Sequence, residues 1–132
     1  MADEADILEL SGANPINFNC ADDLALSKGM LLVLSGDYIV KASSAQSEVY
    51  AGVAAADKQL SDGATTIAVH VPGSMNVFDM KCGTGTVPLG SIVQLSGANL
   101  IGIAAAAQLL TGAVVGKALE AGAASEVIRV LS

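Results

Sequence analysis

The sequence predicts an all-β protein, with at most one or two short helices. Gly punctuates its central and C-terminal parts at short intervals. Between those marks lie short runs rich in Val, Ile and Leu, the pattern of strands bounded by turns. Thr65 to Val71 alternates around β-branched residues, the periodicity of a strand with two unlike faces.

The elements follow in order. Lys28-Gly29 opens the apolar run Met30 to Leu34, Ser35-Gly36-Asp37 reads as a tight turn, and Tyr38 to Ala42 returns as a hairpin partner. Val49 to Ala54 is a third strand with Gly52 inside it, Thr65 to Val71 a fourth, and Asn76 to Lys81 a fifth. Ser91 to Leu95 and Asn99 to Ile103 flank a second turn at Ser96-Gly97-Ala98. Ala113 to Leu119 and Glu126 to Leu131 form a closing pair. Only Ala104 to Leu110 favours helix, as one short turn, because Ala and Leu are good helix formers. Leu-Ser-Gly-Ala-Asn occurs at 10–14 and again at 95–99, with a near copy from Leu34 to Asp37. Turn chemistry accounts for these strings, since Gly and Asn tolerate positive φ. Their flanks do not repeat, so no domain duplication is expected.

The 132 residues make one domain, or one domain plus an arm. Hydrophobic residues are 52%, which excludes a disordered chain. Charged residues are 14%, well under the usual ~25%. Six scattered Lys and Arg and a net charge of −7 speak against nucleic acid and anionic lipid as partners. The charge is uneven. Asp3, Glu4, Asp6, Glu9, Asp22 and Asp23 lie in residues 1–23, which hold no Lys or Arg, whereas 24–132 carries seven acids against six bases. Residues 1–26 therefore read as an acidic, extended N-terminal arm, and 27–132 as the β-rich domain. Ile7, Leu8, Leu10, Ile16 and Phe18 need burial somewhere, and make the arm's candidate contact residues. On this reading, deleting residues 1–20 leaves a folded body.

The acidic opening from Met1 to Asp6 lacks the positive charge of a secretory signal, and the expectation is a cytoplasmic protein with Cys20 and Cys82 as buried thiols. Cys82 to Gly116 has no charged residue, and Asn99 to Gly116 approaches the length of a spanning helix. Asn99, Gln108 and Thr111 interrupt it, and no Lys/Arg cluster flanks it, so burial in a β core or an oligomer is expected and a membrane span is not. Val114→Asp would then abolish folding or assembly.

No pattern of residues carries convincing chemistry. Gly83 to Gly90 lacks the Gly-Lys-Ser/Thr of a phosphate loop. Alternation puts His70 with Thr66 and Ala68 on the more polar strand face, as a surface or interface residue. Asp22 and Asp23, adjacent in sequence, would point apart in a strand and read as a solvated turn. These three are the only polar candidates for a small oligomeric β-barrel enzyme or ligand-binding protein. No metal or other cofactor is expected. A small-residue, nearly uncharged body suits packing against copies of itself or a large partner.

Several runs resemble the small capsid decoration (head cement, or head stabilisation) proteins of tailed bacterial and archaeal viruses, the group that includes the head decoration protein of phage lambda. The runs are Ser27-Lys-Gly-Met-Leu31, Val49-Tyr-Ala-Gly-Val-Ala-Ala-Ala-Asp-Lys58, and Asp62-Gly-Ala-Thr-Thr-Ile-Ala-Val69. Pro88-Leu-Gly-Ser-Ile-Val-Gln-Leu95 follows, then Val114-Val-Gly-Lys-Ala-Leu-Glu120 with Glu126-Val-Ile-Arg-Val130. They span 27–131 in the family's order, and the last is the most specific. The resemblance implies a compact small β-barrel or β-tulip-like domain without enzymatic activity. It implies a homotrimer on the outer face of an icosahedral virion, clamping the major capsid protein against the pressure of packaged DNA. It suits an arm that adds a strand or lid to the coat protein. Another virion component, a tail, spike or minor coat protein, is the alternative expectation.

Overall fold

The computed structural model describes residues 3–10, 14–46 and 48–132. Eleven strands and one short helix follow each other along them. The strands are β1 (Asp6–Glu9), β2 (Ile16–Asn19), β3 (Leu31–Gly36), β4 (Ile39–Ala42), β5 (Tyr50–Ala54) and β6 (Thr66–His70). Then come β7 (Val77–Cys82), β8 (Ile92–Gly97), β9 (Leu100–Ile103), helix α1 (Gln108–Thr111), β10 (Val114–Ala118) and β11 (Val127–Leu131). The all-β class is as expected, and both predicted hairpins and the closing pair are present. The single helical turn falls slightly later than Ala104 to Leu110.

Two closed barrels are formed, where one domain with an arm was expected. β2-β4-β3-β5-β6 closes the first. β7-β9-β8-β10-β11 closes the second, with β1 added on β7. The strand order is the same in both, shifted by five elements, and so is every pairing direction, including the parallel pair β2–β4 and its counterpart β7–β9. The register repeats residue by residue. Leu32↔Ala42, Val33↔Lys41, Leu34↔Val40 and Gly36↔Ile39 become Val93↔Ile103, Gln94↔Gly102, Leu95↔Ile101 and Gly97↔Leu100, with the irregularity at the same step. Tyr38 and Asn99 both take positive φ at the two turns. Cys82 ends β7 and Cys20 directly follows its counterpart β2, both as buried free thiols.

The chain is therefore an internal duplication, a correction to the sequence reading. The repeat keeps volume and polarity and little identity. Cys20, Leu26, Leu32, Val40, Ala51, Ala54, Ile67 and Val69 fill the first barrel, and Cys82, Val87, Val93, Ile101, Val115, Ala118, Ile128 and Val130 fill the second. β3, β4 and β6 recur at one common offset and only β2 and β5 depart slightly from it, so low identity, not spacing, hides the repeat. The turn string at 95–99 marks one copy, and its true mate is Leu34 to Tyr38. The similar string at 10–14 has its centre, 11–13, outside the described residues.

Gly52 and Gly116 show why the repeat keeps some residues unchanged. A Cβ on Gly52 would strike the His70 carbonyl, and one on Gly116 the Leu131 carbonyl. Both strands cross a neighbour at a distance that only glycine permits.

The arm boundary also moves. β2 pairs with β6 along its whole length, from Ile16↔Val69 to Asn19↔Thr66, and is a stave of the first barrel. Leu26 is inside that barrel. Only the segment around β1 is additional to the barrels, and it is not free either. β1 pairs with β7, the Ala5 N–H donates to the Gly29 carbonyl at 2.6 Å, and Asp3 meets the Lys81 ammonium at 2.9 Å. The uncharged stretch Cys82 to Gly116 is spent on strands of the second barrel. No helix among the described residues is long and apolar enough to cross a membrane.

Candidate interaction surfaces

The five predicted contact residues divide. Ile7 faces inward from β1 and packs on the second barrel's core. Phe18 packs on the first barrel's core, its ring 4.7 Å from that of Tyr38. Leu8, Leu10 and Ile16 stand in solvent, 40%, 49% and 43% exposed. Leu10 also borders an open groove of about 520 Å³ with Ile7, Pro15, Lys28 and Ala55.

The polar candidates do not converge. Asp22 accepts the Gly63 N–H at 2.7 Å and lies 3.8 Å from Lys58 Nζ. Lys58 is almost fully buried, yet its ammonium donates to the carbonyls of Asp22, Leu24 and Gln59 and sits 3.3 Å from Asp62. A buried ammonium has to be satisfied in this way, and the result is a clamp tying the β2–β3 and β5–β6 loops together at one end of the first barrel. Asp23 is exposed. His70 does share a strand face with Thr66 and Ala68, but it is buried, its ring centroid 6.1 Å from that of Phe78. Burial holds its pKa below the ordinary histidine value, assisted by the Lys28 charge. Burial likewise pushes both thiols up, Cys20 and Cys82 alike, which lowers the share of the nucleophilic thiolate.

The junction between the barrels is the best-defined surface. The second barrel presents one end, its head, made of the β8–β9 turn with Leu95 and Phe78. The first barrel presents its flank, the outer face of β3 and β5. Leu31, Val33, Tyr50 and Val53 point away from the first barrel's interior, and all four are buried in the second barrel's core cluster. Asn99, at the turn, accepts the Leu31 N–H on Oδ1 at 2.9 Å, and its own N–H donates to Ser43 Oγ at 3.0 Å. The Tyr50 N–H donates to the Gly112 carbonyl at 2.8 Å. Burial raises the Tyr50 phenol above its ordinary range, and the nearby Ser132 side chain opposes that shift.

Duplication means that each barrel owns both a head and a flank. Sequence reasoning missed the residues of the first barrel's head, Leu34, Tyr38 and Ile39. It also missed Ile92 on the second barrel's flank. Aligning the two Leu-Ser-Gly strings at 34–36 and 95–97 would have found them.

The chain matches no known family and no curated protein.

Proposed function

We propose that this protein is a non-enzymatic decoration protein, which binds the outer surface of an icosahedral viral capsid and stabilises the shell against internal DNA pressure. One observation carries the reading: the ordered runs between Ser27 and Val130 that resemble the head decoration family. These runs fall on strands and tight turns of both barrels, from the β3 approach at Lys28-Gly29 to β10 and β11. The partner is the major capsid protein, the form on the virion a homotrimer, and the site of synthesis the host cytoplasm.

The exposed Leu8 and Leu10, beside an open groove, are the contact residues this reading favours. A decoration protein need not bind tightly at any one point. An oligomer touching several coat subunits multiplies weak contacts through effective concentration. Binding to the intact shell and not to its opened form stabilises the intact shell by mass action.

The test is the copy number in purified particles of the virus that encodes the chain, by quantitative mass spectrometry against the major coat protein. A ratio near one to one, or a fixed large fraction of it, is expected. A handful of copies would point to a tail, spike or minor coat component. Absence from particles would overturn the proposal.

A further inference from the structure

We infer that copies of this chain associate head to tail, with the first barrel's head docking on the second barrel's flank of the next copy. The contact between chains would repeat the contact already made within each chain.

The two surfaces identify themselves by comparison with the internal junction. On the second barrel's head, Phe78, Leu95 and Asn99 are 1%, 0% and 2% exposed, because the first barrel's flank covers them. The same positions on the first barrel's head are Ile16, Leu34 and Tyr38, and they are 43%, 37% and 53% exposed. Ile39, next to the turn, is exposed as well. β2 also pairs on its second side only at Asn19, whereas its counterpart β7 is flanked there by β1 and β9.

The flank shows the same contrast. Leu31 is fully buried, and its counterpart Ile92 is 43% exposed. Tyr50 is buried, and its counterpart Val114 only half so. Ile92, Val114 and Leu131 line an open, mainly apolar groove of about 310 Å³, with Met75 at its edge. Those three are the counterparts of Leu31, Tyr50 and His70, residues that receive the head inside the chain.

One free head and one free flank per copy can repeat the internal junction, with Gln94 and Lys117 standing on the free flank where Val33 and Val53 receive the head inside the chain. The contact is heterologous: head meets flank, never head meets head. Such contacts close into rings or run on as filaments, and the inference here is a ring of alternating barrels. The contact between copies is weaker than the internal one. It lacks the covalent linker and the β1 strap, and Ala104 stands where Ser43 binds the turn. The register assigns specific neighbours. Tyr38 of one copy lies against Ile92 of the next, as Asn99 lies against Leu31, and Ile16 meets Leu131, as Phe78 meets His70.

The test is disulfide trapping in concentrated solution of the full chain. The double variant Tyr38→Cys/Ile92→Cys is oxidised beside a control, Tyr38→Cys/Val127→Cys, whose second position is exposed elsewhere on the second barrel. The native thiols are buried and do not compete. The expected product is a covalent oligomer of one size, linked between positions 38 and 92 in peptide maps, in several-fold excess over the control. A second arm uses no thiol. Tyr38→Asp blocks the head and Ile92→Asp the flank. Each alone is a monomer by native mass spectrometry, and a mixture of the two gives a one-to-one dimer and nothing larger. Equal trapping in both cysteine pairs, a 38–38 link, or a mixture that stays monomeric would overturn the inference. None of this requires a virion, so a chain that decorates shells as an oligomer held by other surfaces sinks this inference and leaves the proposed function standing.

Discussion

The Asn99 side-chain oxygen accepts the Leu31 N–H across the junction of two barrels, 2.9 Å away and sealed from solvent. This one bond joins the β8–β9 turn of one repeat to β3 of the other. Asn99 also has φ of 56°, a conformation asparagine tolerates better than most residues. Its counterpart Tyr38 also has positive φ.

Asn99→Ala should therefore destabilise the whole chain. It leaves the Leu31 N–H buried without an acceptor, a cost of about 1–3 kcal/mol, and places alanine at positive φ. Equilibrium urea unfolding of the variant measures this. An unchanged midpoint would mean that the bond contributes nothing to the junction.

Gly116→Ala should cost about 1–3 kcal/mol, the usual range for forcing atoms into a packed site. The added methyl meets the Leu131 backbone carbonyl, which cannot swing away as a flexible side chain can. Gly85→Ala is the control, since a methyl added there has nothing within 4 Å. That variant should stay within about 0.5 kcal/mol of the parent. Comparable losses at both sites would refute the close-approach argument.

Truncation separates strap from stave. Removing residues 1–9 deletes β1 and exposes apolar surface that Ala5 and Ile7 now cover, for a loss of about 2 kcal/mol or more. Both barrels remain. Removing 1–20 takes β2 from the first barrel and opens it between β4 and β6. Circular dichroism and denaturant unfolding should show a folded chain in the first case and a collapsed first barrel in the second. A well-folded 1–20 deletion would restore the sequence-level view of a dispensable arm.

How far the sequence revealed the fold can be seen at particular strands. β3, β4, β6, β8 and β9 were legible because a branched or apolar run ends at a Gly-containing turn, and those local signals survive in the fold. β2 was not. Its residues, Ile-Asn-Phe-Asn, sit among acidic and polar neighbours, so charge separated it from a barrel that only long-range pairing with β6 completes. The duplication was hidden for a related reason. Leu32 and Val93, or Phe18 and Met80, answer the same packing demand with different side chains, and cores tolerate such exchanges when volume and pattern are kept. The junction surfaces were the least legible. Leu31 and Val33 lie on the outer face of a strand, and nothing local distinguishes an outward Leu covered by another barrel from one left in water.

That distinction sets two neighbouring valines apart. Val115 points into the second barrel and is almost fully buried, while Val114 points outward onto the open groove. Val115→Asp puts a charge where no partner or water reaches it, and the cost rivals the ~5–15 kcal/mol that holds a domain folded. It should fail to fold. Val114→Asp should fold, with its unfolding midpoint close to the parent's, so of the two losses the sequence reading expects, folding or assembly, only that of assembly remains, since Val114 lines the second barrel's flank. Soluble yield and thermal melts of the pair decide the matter. Failure of both variants would mean that the outer face of β10 is as closed as its inner face.

His70 makes stability depend on pH. Its folded pKa lies below the ordinary value, first through burial and then through the Lys28 charge. The unfolded chain takes up this proton near pH ~6.5, and the folded chain only at lower pH. In the interval the unfolded state binds more protons, so stability falls as pH drops below that value and stops falling once the folded form also protonates. His70→Leu installs the residue found at the matching place in the second barrel, Leu131, and removes the titration. Denaturant unfolding of parent and variant from about pH 7.5 to about pH 5 isolates the effect, because the carboxylates common to both cancel in the difference. The parent should lose stability relative to the variant across that range. Parallel curves would mean that His70 takes up its proton as readily in the junction as in water.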